Sequence, residues 1–177
     1  MEKIKKDNKF ALRVKSLGSL GELIAIKVLV DNNFEKIRNL NDQKKNFPYG
    51  DLYAEKDEKR YVISVKSRNK YQRNGKINGR YKLGERCYEN AKDACFQYNA
   101  DPYWMAIQFD GGRYSAYFGS LSQLDGKKGI PMGTTHLSKY ECFAKDKEHG
   151  IDFKPYLNLY KEDEPNQQIQ RTQGAGR

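Results

Sequence analysis

Two short segments carry the side chains best suited to chemistry, Pro48-Tyr49-Gly50-Asp51 and Ser64-Val65-Lys66. Each belongs to an extended run, Asp51 to Glu55 and Tyr61 to Ser67, with the charged residues Asp57-Glu58-Lys59 between them as a hairpin turn. Side chains alternate across a strand, so Ser64 and Lys66 share a face and can meet Asp51 of the neighbouring strand in one pocket. That pocket would hold a carboxylate, an ammonium group and a hydroxyl. Further carboxylates stand nearby in the sequence: Glu22, beside Gly21 in an apolar segment, and Glu85 and Glu89, one turn apart where a second helix would begin.

The charge around these segments points to a polyanion. Lys and Arg number 33 against 23 acids, a net charge of +10, and the excess is concentrated. Between Lys59 and Arg86 there are ten basic residues and a single acid, Glu85. Such a window repels itself in the folded state and is suited to neutralising phosphates and releasing their counterions. Arg68, Lys70, Arg73, Lys76, Arg80 and Lys82 are the candidate phosphate contacts, and nucleic acid is the expected partner, the window by itself not distinguishing DNA from RNA. Tyr71, Tyr81 and Tyr88 interleave with the window and can either stack on bases or buttress it.

Other classes are disfavoured. Cys87, Cys95 and Cys142 form no CxxC pair, and His136 and His149 lie far from any matching cysteine, so neither a disulfide framework nor a zinc site is expected. No stretch approaches the roughly 18 apolar residues of a membrane span, and the opening MEKIKKDNKF has no apolar signal segment. A cytoplasmic protein off the membrane is the expectation.

The elements that must position these residues follow from periodicity. Leu17, Leu20, Leu23, Ile24 and Val28 recur at helical steps and predict a helix over 16–32. Strands are expected over 34–40, 51–55 and 61–67, the last of them central. Residues 68–82, polar and basic, read as a mobile loop or irregular ribbon. A second helix spans 85–99 with Cys87 or Tyr88, Ala91, Ala94, Cys95 and Tyr98 inward, and the Asp110-Gly111-Gly112 turn joins strands 103–109 and 114–121. After Leu121 only a late strand within 153–160 can be proposed. The expected organisation is a basic arm (1–14), one domain (15–161) and a disordered tail (162–177). The class is α/β, a mixed central β-sheet flanked by helices in the order α-β-β-β-α-β-β.

In that order, Gly21-Glu22 on the first helix, Pro48-Tyr-Gly-Asp51 before the second strand and Ser64-Val-Lys66 on the third resemble the PD-(D/E)xK nuclease superfamily of restriction endonucleases and Holliday-junction resolvases. The likeness runs from about Lys15 to Leu121 and implies a restriction endonuclease-like core. It further implies a Mg²⁺-dependent endonuclease, with Mn²⁺ an alternative ion, acting on DNA as a homodimer. The implied catalytic residues are Asp51, Lys66, Glu22 and Ser64, with Asp51 and the Val65 backbone carbonyl on the metal. Ser64 stands where the family carries an acid. A subgroup of restriction endonucleases with serine there draws the acid from the following helix, which implies Glu85 or Glu89 as the replacement, Glu85 being the only acid in the basic window. The competing expectation is a non-catalytic DNA-binding module on a degenerate nuclease fold.

Overall fold

The computed structural model describes residues 18–44 and 47–150. A helix over 18–31 (α1) is followed by β1 (Glu35–Asn39), a 3-10 turn (Leu40–Asp42), β2 (Leu52–Lys56) and β3 (Lys59–Asn69). Then come β4 (Arg80–Lys82), α2 (Cys87–Tyr98), β5 (Asp101–Asp110) and β6 (Arg113–Ser120). A 3-10 turn (Ser122–Leu124), β7 (Gly129–Pro131), the short helix α3 (Thr134–Leu137) and β8 (Glu141–Glu148) complete the described chain. The expected arm, the tail and the strand within 153–160 lie outside the described residues.

Six strands form one sheet in the order β1-β2-β3-β5-β6-β8. Only β3 and β5 run parallel, joined by the crossover through α2, and every other pair is antiparallel, so the sheet is mixed as expected. Alternation along the strands builds two apolar layers. Leu52, Ala54, Ile63, Val65, Met105 and Ile107 face α1, whose Ile24, Ala25, Val28 and Leu29 complete the larger core. On the opposite face Trp104, Ala106 and Tyr117 meet Ala91 of α2 together with Tyr81 of β4 and Ile130 of β7. No described helix is long and apolar enough to cross a membrane.

The structure corrects several expectations. Leu23 is 64% exposed, because the buried stripe runs through Ile24, Ala25, Val28 and Leu29 and leaves position 23 on its flank. Of the two readings of the basic segment the ribbon holds for residues 70–78, bridged at Tyr71 and Ile77, but Arg80–Lys82 is a strand, β4, that pairs with β7 as a second, two-stranded sheet. The order α-β-β-β-α-β-β thus omits β4, β7, α3 and β8. Strand β8 carries Lys145, Asp146, Lys147 and Glu148 and buries little beyond Ala144, as suits a charged edge strand, and therefore lacks the apolar alternation that marks a strand in sequence.

The turn between β2 and β3 contains only Asp57 and Glu58, since Lys56 pairs with Lys59. Both have positive φ, 50° and 63°, as a two-residue hairpin of this twist demands, yet neither is glycine. Left-handed backbone costs a non-glycine residue about 1–2 kcal/mol. Glu58→Gly is therefore expected to stabilise the protein by about 1 kcal/mol and raise its melting temperature by about 2–4 °C. Calorimetry of the two proteins checks this, and an unchanged or lower midpoint would show the turn to be unstrained.

Candidate active site

Asp51 sits where the chain turns into β2, and close packing fixes its place. Gly50 tolerates no side chain: a Cβ there would lie 2.3 Å from Val62 Cγ1 and 3.0 Å from Leu40 Cδ1. Tyr49, at a φ of 61°, is pinned by its hydroxyl, which donates to Tyr103 O at 2.6 Å. The backbone of Asp51 donates to Ile63 O and accepts from Leu40 N, both at 2.9 Å. Its carboxylate then continues the ladder: Oδ2 accepts from Val65 N at 2.7 Å, and Oδ1 accepts from Asn41 Nδ2 at 3.4 Å.

Two strand positions beyond Val62, which packs near Ala94 of α2, Ser64 and Lys66 share the face that Asp51 approaches. Ser64 is buried and Lys66 half-buried. Glu22 arrives from the opposite layer. Helix α1 reaches β3 through Gly21, where a Cβ would fall 1.6 Å from Ser67 Oγ, so only glycine permits that approach. The next residue, Glu22, thereby reaches the electrostatic range of both Asp51 and Lys66.

Burial raises the pKa of Asp51 most, with Lys66, the Val65 N–H and Asn41 each opposing the rise. Burial likewise raises that of Glu22, then the charge of Asp51, with Lys66 opposing and Asp42 adding to the rise. Glu22, Asp51 and Lys66 thus lie within electrostatic reach of one another, with Asp42 acting on Glu22 alone. Such a set can bind a divalent cation and hold a water or phosphate beside the lysine.

Glu85 and Glu89 are not brought to this cluster. Glu85 is 89% exposed in its side chain and pairs with Lys128 at 2.9 Å, while Glu89, 66% exposed, pairs with Arg86 at 2.7 Å. Neither contributes to the shifts of Asp51 or Glu22. Among the described residues no three His, Cys, Asp or Glu side chains converge to hold a metal. Asn41 was not foreseen: it lies in a polar loop whose sequence gives no sign that its amide returns to Asp51.

The basic candidates line the end of β3 and beyond. Arg68 Nη1 donates to Ser67 O at 2.7 Å, and Lys70 lies 3.8 Å from Asp110. Arg73 and Lys76 occupy the ribbon turn, and Arg80 and Lys82 point outward from β4 on either side of fully buried Tyr81. Tyr88 donates its hydroxyl to Lys127 O at 2.7 Å. Tyr81 and Tyr88 therefore buttress the fold, and only Tyr71 of the three interleaved tyrosines stands well exposed.

No protein-family model and no curated protein matches this sequence. Among solved structures it is similar to Hjc, a Holliday junction resolvase from the archaeal hyperthermophile Archaeoglobus fulgidus. The TM-score is 0.53 at 16% identity, over 72% of this chain and 97% of the other. The likeness is one of fold. With the mixed sheet and flanking helices the fold is of the restriction endonuclease-like kind, as expected from the sequence.

In this fold the charge on Glu22 is held against burial and against Asp51, so the sign of its effect on stability follows. A carboxyl whose folded pKa is raised supports the fold fully below its unfolded pKa, and that support is lost as pH rises through the folded value. Glu22→Gln is accordingly expected to melt above the wild type at pH 7, the difference closing below about pH 4 where the carboxyl is protonated in both states. Melting curves across that range test it; a variant less stable at pH 7 would mean that Lys66 already offsets the burial of Glu22.

Proposed function

We propose that the protein is a metal-dependent endodeoxyribonuclease that hydrolyses DNA phosphodiester bonds, in a restriction-like or junction-resolving role. The observation that carries this reading is that Asp51, fixed by the Val65 N–H, lies within electrostatic reach of Lys66, with Glu22 of α1 in reach of both. The resolvase-like fold adds support.

The donor set fits Mg²⁺, or Mn²⁺ in its stead. Mg²⁺ keeps several waters and is commonly held by one or two carboxylates together with substrate phosphate, and Asp51 and Glu22 supply two. Their raised pKa values are those of carboxylates lacking a full counter-charge. The Val65 carbonyl suits a third place: N–H and C=O of a strand residue point to the same side, and the Val65 N–H is directed at Asp51. When bound, the ion would polarise the phosphate and lower the pKa of a coordinated water.

The chain's own residues do the rest. Asp51 is held rigid by Val65 N and Asn41, so its free electron pairs keep a fixed direction. Lys66 supplies positive charge and a proton donor beside the attacked phosphate. Ser64 gives that pocket a hydroxyl in place of a further negative charge. Arg68, Lys70, Arg73, Lys76, Arg80 and Lys82 hold the strand, and a homodimer would cut two strands symmetrically. Glu85 and Glu89, committed to Lys128 and Arg86, have no part in this scheme.

One observation favours a second reading, a DNA-binding module without catalysis: Ser64 is buried where the resemblance implies an acid, and among the described residues no three His, Cys, Asp or Glu are grouped to hold a metal. Cleavage separates the two. With supercoiled plasmid and a synthetic four-way junction, nicking is expected in Mg²⁺ or Mn²⁺ and not in EDTA. Asp51→Asn and Lys66→Ala should each slow it by about a hundredfold or more while DNA affinity stays within about threefold. Salt-sensitive binding with no products in either metal would establish the non-catalytic reading instead.

A further inference from the structure

The ribbon 70–78 carries a feature that the cluster at Asp51 does not use. Tyr71 and Ile77 stand opposite each other as a bridged antiparallel pair, and both are exposed, at 47% and 38%. Neither belongs to any of the three apolar clusters of the core. The scaffold beneath them is firm. Lys70 N donates to Phe109 O at 2.7 Å, Asn78 N to Lys70 O at 2.8 Å, and Asn78 Nδ2 to Asn69 O at 2.6 Å. The turn is closed by Gln72 N on Lys76 O at 2.7 Å and by Gly75 N on Gln72 O at 3.0 Å, with Gly75 at a φ of 79°. An aromatic and an aliphatic side chain are thus presented to solvent on a hydrogen-bonded ribbon, at the cost of leaving their apolar surface wet.

The surroundings are cationic. Lys70 Nζ lies 5.4 Å from the centroid of the Tyr71 ring, and Arg73 and Lys76 occupy the turn. Apolar side chains flanked by phosphate-binding cations are how proteins enter a stacked helix: the cations hold the backbones while the apolar groups open a base step. The ribbon follows the cluster along the chain: β3 runs from Lys66 to Asn69, and the chain bends at Lys70 before Tyr71. Five residues span at most about 17 Å. That reach corresponds to at most about five base pairs of duplex.

We propose that the ribbon is a DNA wedge, Tyr71 and Ile77 entering a base step within about five base pairs of the phosphate at Lys66 while Lys70 and Lys76 hold the flanking backbones. This rests on the nuclease reading above and deepens it by naming the substrate class. Opening a step is least costly where stacking is already interrupted, so the wedge favours branched or distorted DNA over continuous duplex.

The test places 2-aminopurine, whose fluorescence rises on unstacking, at successive positions in a four-way junction and in a matched duplex. Full-length protein is bound in Ca²⁺, and cleavage is followed separately in Mg²⁺. Wild type and Tyr71→Phe should raise the signal severalfold at one or two neighbouring positions. The double variant Tyr71→Ala/Ile77→Ala should leave it at the free-DNA level and bind the junction roughly tenfold more weakly. Both side chains are exposed, so the double variant retains the fold. If wild type binds and cuts but raises no signal, or the double variant matches wild type in signal and affinity, the wedge is wrong and the nuclease stands. If wild type neither binds nor cuts either DNA, the nuclease reading falls and takes the wedge with it.

Discussion

The candidate site depends on one hydrogen bond, from Val65 N to Asp51 Oδ2 at 2.7 Å. Backbone pairing of β2 with β3 ends at Asp51 N on Ile63 O, and the carboxylate then occupies the place where the next ladder carbonyl would stand. Asp51 is in this way part of the sheet and part of the pocket at once. A slip of one residue in the β2–β3 register would turn Ser64 and Lys66 to the α1 face and set Asp51 against the wrong amide. The two-residue turn at Asp57-Glu58 and the contact of Gly50 with Val62 both fix that register, so backbone strain and close packing away from the cluster decide its geometry.

The electrostatics follow from the same bond. A buried carboxylate is costly unless donors and countercharges compensate it, and Asp51 has one backbone N–H, a long contact from Asn41 and a nearby lysine. Those do not outweigh burial, and Glu22 adds a second negative charge to the same region. Lys66 offsets one of the two. A phosphate approaching this spot meets an uncompensated carboxylate even though the chain as a whole carries a charge of +10. On the proposed reading the basic surface would attract the polyanion, and a divalent cation is what would let it come close at the point of chemistry.

What the sequence made legible was whatever short-range pattern controls. The β-branched run 61–67, the Asp110-Gly111-Gly112 turn and the inward alanines of α2 each identify their element because one physical rule dominates there. Gly21-Glu22, Asp51 and Lys66 were expected as a set from their order along such elements, and the fold sets Glu22 within electrostatic reach of Asp51 and Lys66. Leu23 was misplaced because helical spacing fixes a stripe only to within its flanks. Strand β8 was invisible because an edge strand buries one row of residues and is held by the backbone of β6. The partners of Glu85 and Glu89 could not be read at all, since Lys128 is brought to Glu85 only by the fold.

Ser64 is where sequence and structure bear on each other most closely. A carboxylate at that position would point to the same face as Lys66 and stand near Asp51 in a pocket that already strains to hold two negative charges. The hydroxyl avoids a third. It also removes a charged oxygen ligand, so a cation here would rely more on water, on the Val65 carbonyl and on the phosphate itself. Such a site would gain much of its cation affinity only when the substrate arrives. The surface that delivers the substrate then becomes part of the metal site's energetics, which links the basic ribbon to the chemistry at Asp51 through the DNA that both would hold.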